Sequence, residues 1–293
     1  MTMTAPMRCS ALAEELDEPM IGSVAQRERW LLVEDRSAWG EKAVRDVLGA
    51  PLEARAKARG IRLLLVRRRE GDPSADAVRR VFLVDTRSRE MAVRSLERLD
   101  ELPSLFDVAP ADFGAPLAGP LFLVCTNGKR DACCALRGRA LMTALAPGHA
   151  ERTWECTHLG GHRFAGNLVC LPDGILYGRV APADGPRLAD AYLDGRLDPA
   201  ALRGRSAWPP PAQVAEQALR VRLGLDRLGD VALVAAEIGE GRAVVELAAR
   251  DDVHRVELVP ERALPRPISC RAGEPEQPLH WRVSSPDRAP GTG

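Results

Sequence analysis

The stretch that decides the fold is Leu121-Phe-Leu-Val124, followed at once by Cys125-Thr-Asn-Gly-Lys-Arg-Asp-Ala-Cys-Cys134. The apolar run predicts a buried strand. It ends directly at Cys125, so the thiol of this residue lies where the strand passes into a loop. Gly128 allows that loop to turn back, and Cys134 begins a predicted helix that runs to Leu145. A helix N-terminus stabilises negative charge and lowers the pKa of a thiol placed there.

A second stretch, His158-Leu-Gly-Gly-His162-Arg-Phe-Ala-Gly-Asn167, presents two imidazoles across a short loop. Gly160 and Gly161 make a regular helix between the histidines unfavourable. Five of the seven cysteines fall between positions 125 and 170, and His158 and His162 lie in the same window. Such clustering is typical of a metal site or a thiol site. Judged on ligand identity alone, two cysteines and two histidines are a common set of zinc ligands, and zinc bound there would stabilise the fold.

These residues resemble the sucrase/ferredoxin-like family, and the motif-bearing part of the resemblance covers about positions 120 to 205. The resemblance implies a thioredoxin-like ferredoxin domain that carries a [2Fe–2S] cluster. The ligands it implies are Cys125, Cys134, His158 and His162. Imidazole in place of two thiolates is known from Rieske centres and raises the reduction potential. The implied function is one-electron transfer with an unidentified redox partner protein, as a carrier or redox component rather than a stand-alone enzyme.

Both the kind of site and the choice of the second thiolate have alternatives. The same four residues are compatible with a zinc-stabilised structural or interaction domain that has no redox role. Cys133 sits beside Cys134 and is a second candidate for the second thiolate, although the family's loop spacing favours Cys134. The remaining cysteines are expected to be small buried hydrophobic residues (Cys156, Cys170) or to lack neighbours that imply reactivity (Cys9, Cys270).

Composition sets outer limits on function. The 293 residues carry 41 Lys+Arg and 41 Asp+Glu, for a formal net charge of +0, which argues against a dedicated nucleic-acid binder. No apolar run reaches the roughly 18 residues of a membrane-spanning helix. The first ten residues lack the apolar region of a secretory signal, so we expect a cytoplasmic protein without a membrane partner. Nothing in the sequence indicates an oligomeric state.

The chain divides into three predicted segments within an α/β fold class. Residues 1–116 form an N-terminal α/β segment with strands at 30–34, 61–66 and 81–85 and a helix at 41–59. Residues 117–207 form the thioredoxin-like [2Fe–2S] ferredoxin domain. Residues 208–293 form a small C-terminal α+β appendage: a helix, a small sheet and an irregular tail, after a linker at Trp208-Pro-Pro-Pro211.

Overall fold

A computed structural model describes residues 8–68 and 78–284 of the chain. Its helices are Cys9–Glu15 (α1), Ala43–Leu48 (α2), Ala50–Ala58 (α3), Pro110–Phe113 (α4), Ala132–His149 (α5), Asp184–Leu193 (α6) and Pro210–Leu223 (α7). Its strands are Arg29–Glu34 (β1), Arg62–Arg67 (β2), Arg79–Asp85 (β3), Glu90–Leu96 (β4), Ala115–Pro116 (β5), Leu121–Cys125 (β6), Thr153–Cys156 (β7), Leu168–Leu171 (β8), Ile175–Tyr177 (β9), Leu202–Arg205 (β10), Val231–Ile238 (β11), Ala243–Ala249 (β12), Asp252–Arg262 (β13) and Leu279–Val283 (β14).

Ten of these strands form one mixed sheet in the order β10-β9-β8-β6-β7-β2-β1-β3-β4-β5. A second, antiparallel sheet has the order β11-β12-β13-β14. The predicted α/β class, with a large sheet, is therefore confirmed. The ten-stranded sheet takes strands from both sides of position 116, because β2 pairs antiparallel with β7. The predicted segment boundaries stay a prediction, but their first two segments share this sheet.

The unit that positions the candidate site is β6–α5–β7. Every residue of β6 is buried, as expected for a central strand with apolar side chains on both faces. Helix α5 follows, and its N-cap Asp131 accepts a hydrogen bond from the backbone N–H of Cys133. The chain then returns in β7, which pairs parallel to β6 with Cys125 opposite Cys156. The carboxyl ends of β6 and β7 and the N-terminus of α5 therefore meet at one edge of the sheet.

Two local predictions differ from the structure. The helix predicted over 41–59 is two helices, because Gly49 at φ 88° interrupts it. The proline run predicted as a linker instead begins α7 at Pro210, since the first turn of a helix needs no backbone donor there.

The C-terminal tail also differs, because the stretch predicted to be irregular contains strand β14. Residues 285–293 of that tail lie outside the described residues.

Candidate metal centre

The four predicted ligands lie at the edge where β6, β7 and α5 meet. Cys125 is the last residue of β6, and Cys134 lies in the first turn of α5. His158 follows β7 by two residues, and His162 begins a short 3-10 helix, His162–Phe164. The loop after β7 therefore carries both imidazoles back over the strand end that carries the first thiol.

These four side chains contact one another in a closed ring. The Cys134 Sγ lies 3.5 Å from the Nδ1 of His162. The Cys125 thiol is hydrogen-bonded to both Cys134 and His158. The two imidazole rings stack with their centroids 4.0 Å apart and 14° between their planes. The structure thus brings all four together, while their role as metal ligands stays a prediction.

Two side chains of the ring, Cys125 and His162, are held in the protonation states that bind metals. Burial, with the neighbouring His158, lowers the pKa of His162 to about 3, so its imidazole is neutral at pH 7. The hydrogen bond from Cys134 lowers the pKa of Cys125 well below the usual range for a thiol. That shared hydrogen bond and burial raise the pKa of Cys134 in turn. Thiolate and neutral imidazole are the forms of cysteine and histidine that bind metals.

Two guanidinium groups add positive charge beside the thiols. Arg203 is buried, and its hydrogen bonds go to uncharged acceptors: the Oδ1 of Asn167 at 2.7 Å, the carbonyl of Gly160 at 3.2 Å, and Ser23. Burial lowers the pKa of Arg203 to about 9, which leaves it charged at pH 7. Arg62 donates to the His158 carbonyl at 2.7 Å. Both cations favour the thiolate form of Cys125.

The loop between the histidines depends on Gly161. Its φ is +68°, and a Cβ built there would lie 2.4 Å from the guanidinium of Arg203. Arg203 is buried and held by several hydrogen bonds, so it has little room to move aside. We expect Gly161→Ala to cost about 3 kcal/mol of the free energy of unfolding, measured by chemical denaturation.

Gly160 supplies the matched control for this prediction. Its φ is +85°, but a Cβ there would meet no atom within 4 Å. Gly160→Ala should therefore cost only the backbone strain, about 1 kcal/mol. Equal losses in the two variants would show that the contact with Arg203 does not constrain the loop.

A second group of potential ligands lies next to the first and was not predicted from the sequence. One atom each of Cys9, Asp131, Cys133 and Cys270 lies within 4.8 Å of the others, so a Cys/Asp group that could hold a metal ion is present. Cys133 is adjacent to Cys134 in sequence, yet its sulfur points to this other group. Cys9 and Cys270 are separated from it by more than 120 residues, so no local spacing could have revealed them.

The other predicted features have ordinary structural explanations. Cys156 and Cys170 are fully buried in apolar clusters, where burial raises their pKa values, as expected for small hydrophobic residues.

A comparison with protein families shows to which family this chain belongs. The model of the sucrase/ferredoxin-like family matches residues 20–204, which is more than half of the chain. The chain belongs to this family. The family match includes all four predicted ligands, but it does not itself confirm their spacing as a motif. No solved structure matches the chain.

Two curated relatives share part of this sucrase/ferredoxin-like chain. "Altered inheritance of mitochondria protein 32" of Eremothecium gossypii is 34% identical over 122 residues, which cover 36% of this chain and 39% of that protein. The protein of the same name from Meyerozyma guilliermondii is 35% identical over 83 residues, covering 25% of this chain and 29% of that protein. The chain thus matches well under half the length of either relative.

These comparisons correct the function expected from the sequence. The resemblance implied one-electron transfer through a [2Fe–2S] cluster, with a zinc-stabilised domain as the alternative. The relatives are named for the inheritance of mitochondria, and neither that name nor the family match supports an iron–sulfur electron-transfer role. The predicted electron-transfer function is therefore wrong on these comparisons. What the structure supports more coarsely is a Cys/Asp group, Cys9, Asp131, Cys133 and Cys270, that could hold a metal ion.

Within residues 8–68 and 78–284, no helix combines the length and the apolar character that crossing a membrane requires.

Proposed function

We propose that this chain is a metal-binding protein whose centre is held by Cys125, Cys134, His158 and His162. The observation that carries the proposal is the closed ring of contacts, with the Cys134 sulfur 3.5 Å from a ring nitrogen of His162 and the two imidazoles stacked at 4.0 Å. Four metal-ligating groups from the end of β6, the first turn of α5 and the segment after β7 meet there. Packing alone does not require such a meeting, because apolar side chains would fill the same space without any cost of desolvation.

The chemistry of the ring supports a thiophilic transition metal. Thiolate sulfur and imidazole nitrogen suit zinc, iron and copper, whereas magnesium and calcium prefer oxygen ligands. The ring is largely closed to water, since Cys125 is 2% exposed, Cys134 1% and His162 8%. Arg62 and Arg203 add positive charge that favours the thiolate form of Cys125. When bound, the metal would join the end of β6, the start of α5 and the loop after β7.

Elemental analysis of the full chain tests this proposal. Protein purified without chelators should carry zinc, iron or copper, and His162→Ala should lose about one metal per chain because a ligand is removed. His280→Ala is the matched control, since His280 lies on β14 and pairs weakly with Glu261 at 3.9 Å. A wild-type protein without bound transition metal, or equal metal content in the two variants, would contradict the proposal.

We also propose a finer description of the fold. The part from β6 to α6 is thioredoxin-like, supported by the sheet order β7-β6-β8-β9, in which β6 and β7 are parallel and β8 and β9 antiparallel to their neighbours. Helix α7 and the sheet β11–β14 form a small C-terminal α+β appendage, supported by the apolar cluster that they share.

The cellular location and the partner of the chain are both predictions. We keep the cytoplasmic location as a prediction, although the relatives' name refers to mitochondria. Fractionation of cells followed by detection of the chain tests it directly. A protein partner for the metal centre likewise stays a prediction.

A further inference from the structure

Three thiols from distant parts of the chain converge beside the first ring. The sulfurs of Cys133 and Cys270 lie 3.3 Å apart, those of Cys9 and Cys270 3.5 Å, and those of Cys9 and Cys133 3.6 Å. They form a nearly equilateral triangle. Cys9 belongs to α1, Cys133 to α5 and Cys270 to the segment 263–278 that connects β13 to β14.

The triangle has close to the size that a tetrahedral metal requires. With zinc–sulfur bonds of about 2.3 Å, two sulfurs of a tetrahedral site lie about 3.8 Å apart. The observed edges fall short of this by only a few tenths of an ångström. Small rotations of three thiol side chains would therefore complete three bonds to one ion.

Asp131 supplies the fourth donor. Both of its carboxylate oxygens lie 3.9 Å from the Cys9 sulfur. One of them accepts the backbone N–H of Cys133 at 2.9 Å. The other accepts the hydroxyl of Ser269 and the backbone N–H of Cys270, both at 2.9 Å. These bonds fix the orientation of the carboxylate, as the outer partners of metal-binding carboxylates do, and the first oxygen retains a lone pair.

We propose that Cys9, Cys133, Cys270 and Asp131 form a second metal site, distinct from the Cys125/Cys134 ring, that takes a thiophilic tetrahedral ion such as Zn²⁺. Cys9, Cys133 and Asp131 are buried, while Cys270 is exposed and leaves the ion a path from solvent. Three thiolates and one carboxylate match the sulfur-rich sets that structural zinc prefers.

The second site ties the two ends of the described chain to the core. The segment 263–278 also contacts the chain just after α1, because Arg266 pairs with the buried carboxylate of Glu18 at 2.8 Å. Without an ion, the loop that carries Cys270 is held by Asp131 and by exposed pairs such as that of Arg271 with Glu41. A bound ion would hold this loop against α5 through metal–sulfur bonds, so it should protect the loop from proteases.

Zinc stoichiometry of the reduced full chain tests the site. Stripped protein is reloaded with Zn²⁺, freed of unbound metal and analysed. Cys270→Ala and the double variant Cys9→Ala/Cys270→Ala should each bind one zinc fewer than the wild type. Cys170→Ala removes a cysteine outside both groups and should bind as much as the wild type. Cys134→Ala/His162→Ala should keep the second zinc, which separates this proposal from the first.

Cleavage by trypsin shows whether zinc binds at the loop that carries Cys270. Arg271 is exposed and follows Cys270 directly. Cleavage after Arg271 requires the loop to open, and a bound ion lowers the population of the open form. At a Zn²⁺ concentration 100 times the dissociation constant, cleavage of the wild type should therefore slow by up to about 100-fold. Cys270→Ala, whose exposed side chain is not needed for the core, should show no slowing. Equal zinc uptake in wild type and Cys270→Ala would overturn the proposal. So would a Cys133–Cys270 disulfide in protein that takes up no zinc at this group.

Discussion

Cys134→Ser is expected to lose the metal of the Cys125/Cys134 ring, with an affinity more than about 100-fold weaker than that of the wild type. Loss of an outer partner of a ligand typically weakens metal binding 10- to 100-fold, so loss of a ligand should cost more. The Cys134 sulfur is the atom that contacts His162 at 3.5 Å, and no other thiol is placed to replace it in the described structure. Competition against a chromophoric chelator measures the affinity.

Cys133→Ser is the matched control, because it changes the adjacent residue on the same helix turn. Its sulfur contacts Cys9 and Cys270 rather than the ring, so the ring should keep its metal while the second group loses its own. If Cys133→Ser empties the ring and Cys134→Ser does not, the second ligand is Cys133. Circular dichroism of both variants would show that the fold is retained.

Glu216→Gln is expected to destabilise the protein by about 3–5 kcal/mol, because it leaves buried guanidinium charge without its counter-ion. Glu216 lies on α7 and is fully buried. One of its oxygens accepts hydrogen bonds from Arg205 and Arg220, each at 3.0 Å. Arg205 has a second carboxylate nearby in Asp173, at 3.8 Å, whereas Arg220 otherwise donates to the backbone carbonyls of Arg227 and Leu228.

Glu53→Gln makes the same chemical change in an exposed ion pair. Glu53 and Arg45 contact at 2.9 Å but are 38% and 51% exposed, so the loss should stay below about 1 kcal/mol. Urea denaturation of both variants gives the two free energies of unfolding. Similar losses in the two would show that the buried network between α7 and β10 contributes no more than a surface pair.

Much of this architecture is readable from local patterns. The apolar runs at 30–34, 81–85 and 121–124 lie in strands, and the run at 61–66 does so from Arg62 onward. Residues buried on both sheet faces leave such a continuous apolar signal. The four residues of the ring were predicted from the family resemblance, and the strand end, the helix start and the Gly-Gly loop that carry them lie close together along the chain. The pairing of β2 with β7 is not readable, since it joins residues about 90 positions apart.

The second cysteine group shows why the rest could not be predicted. Cys9 and Cys270 are 261 positions apart, and each lies in a segment without a motif. Their meeting depends on how α1 and the segment 263–278 pack against α5, and three-dimensional packing leaves no spacing rule in the sequence. The paired Cys133 and Cys134 carried the one local hint, because neighbouring residues near a helix start point in different directions.

Anomalous diffraction at the absorption edge of the metal found by elemental analysis tests the central claim most directly. Crystals of the full chain, grown without chelators, should show an anomalous peak about 2.0–2.3 Å from the sulfurs of Cys125 and Cys134 and from one ring nitrogen each of His158 and His162. A chain that crystallises with the ring intact but with no peak there, while the same crystals contain metal elsewhere, would contradict the account.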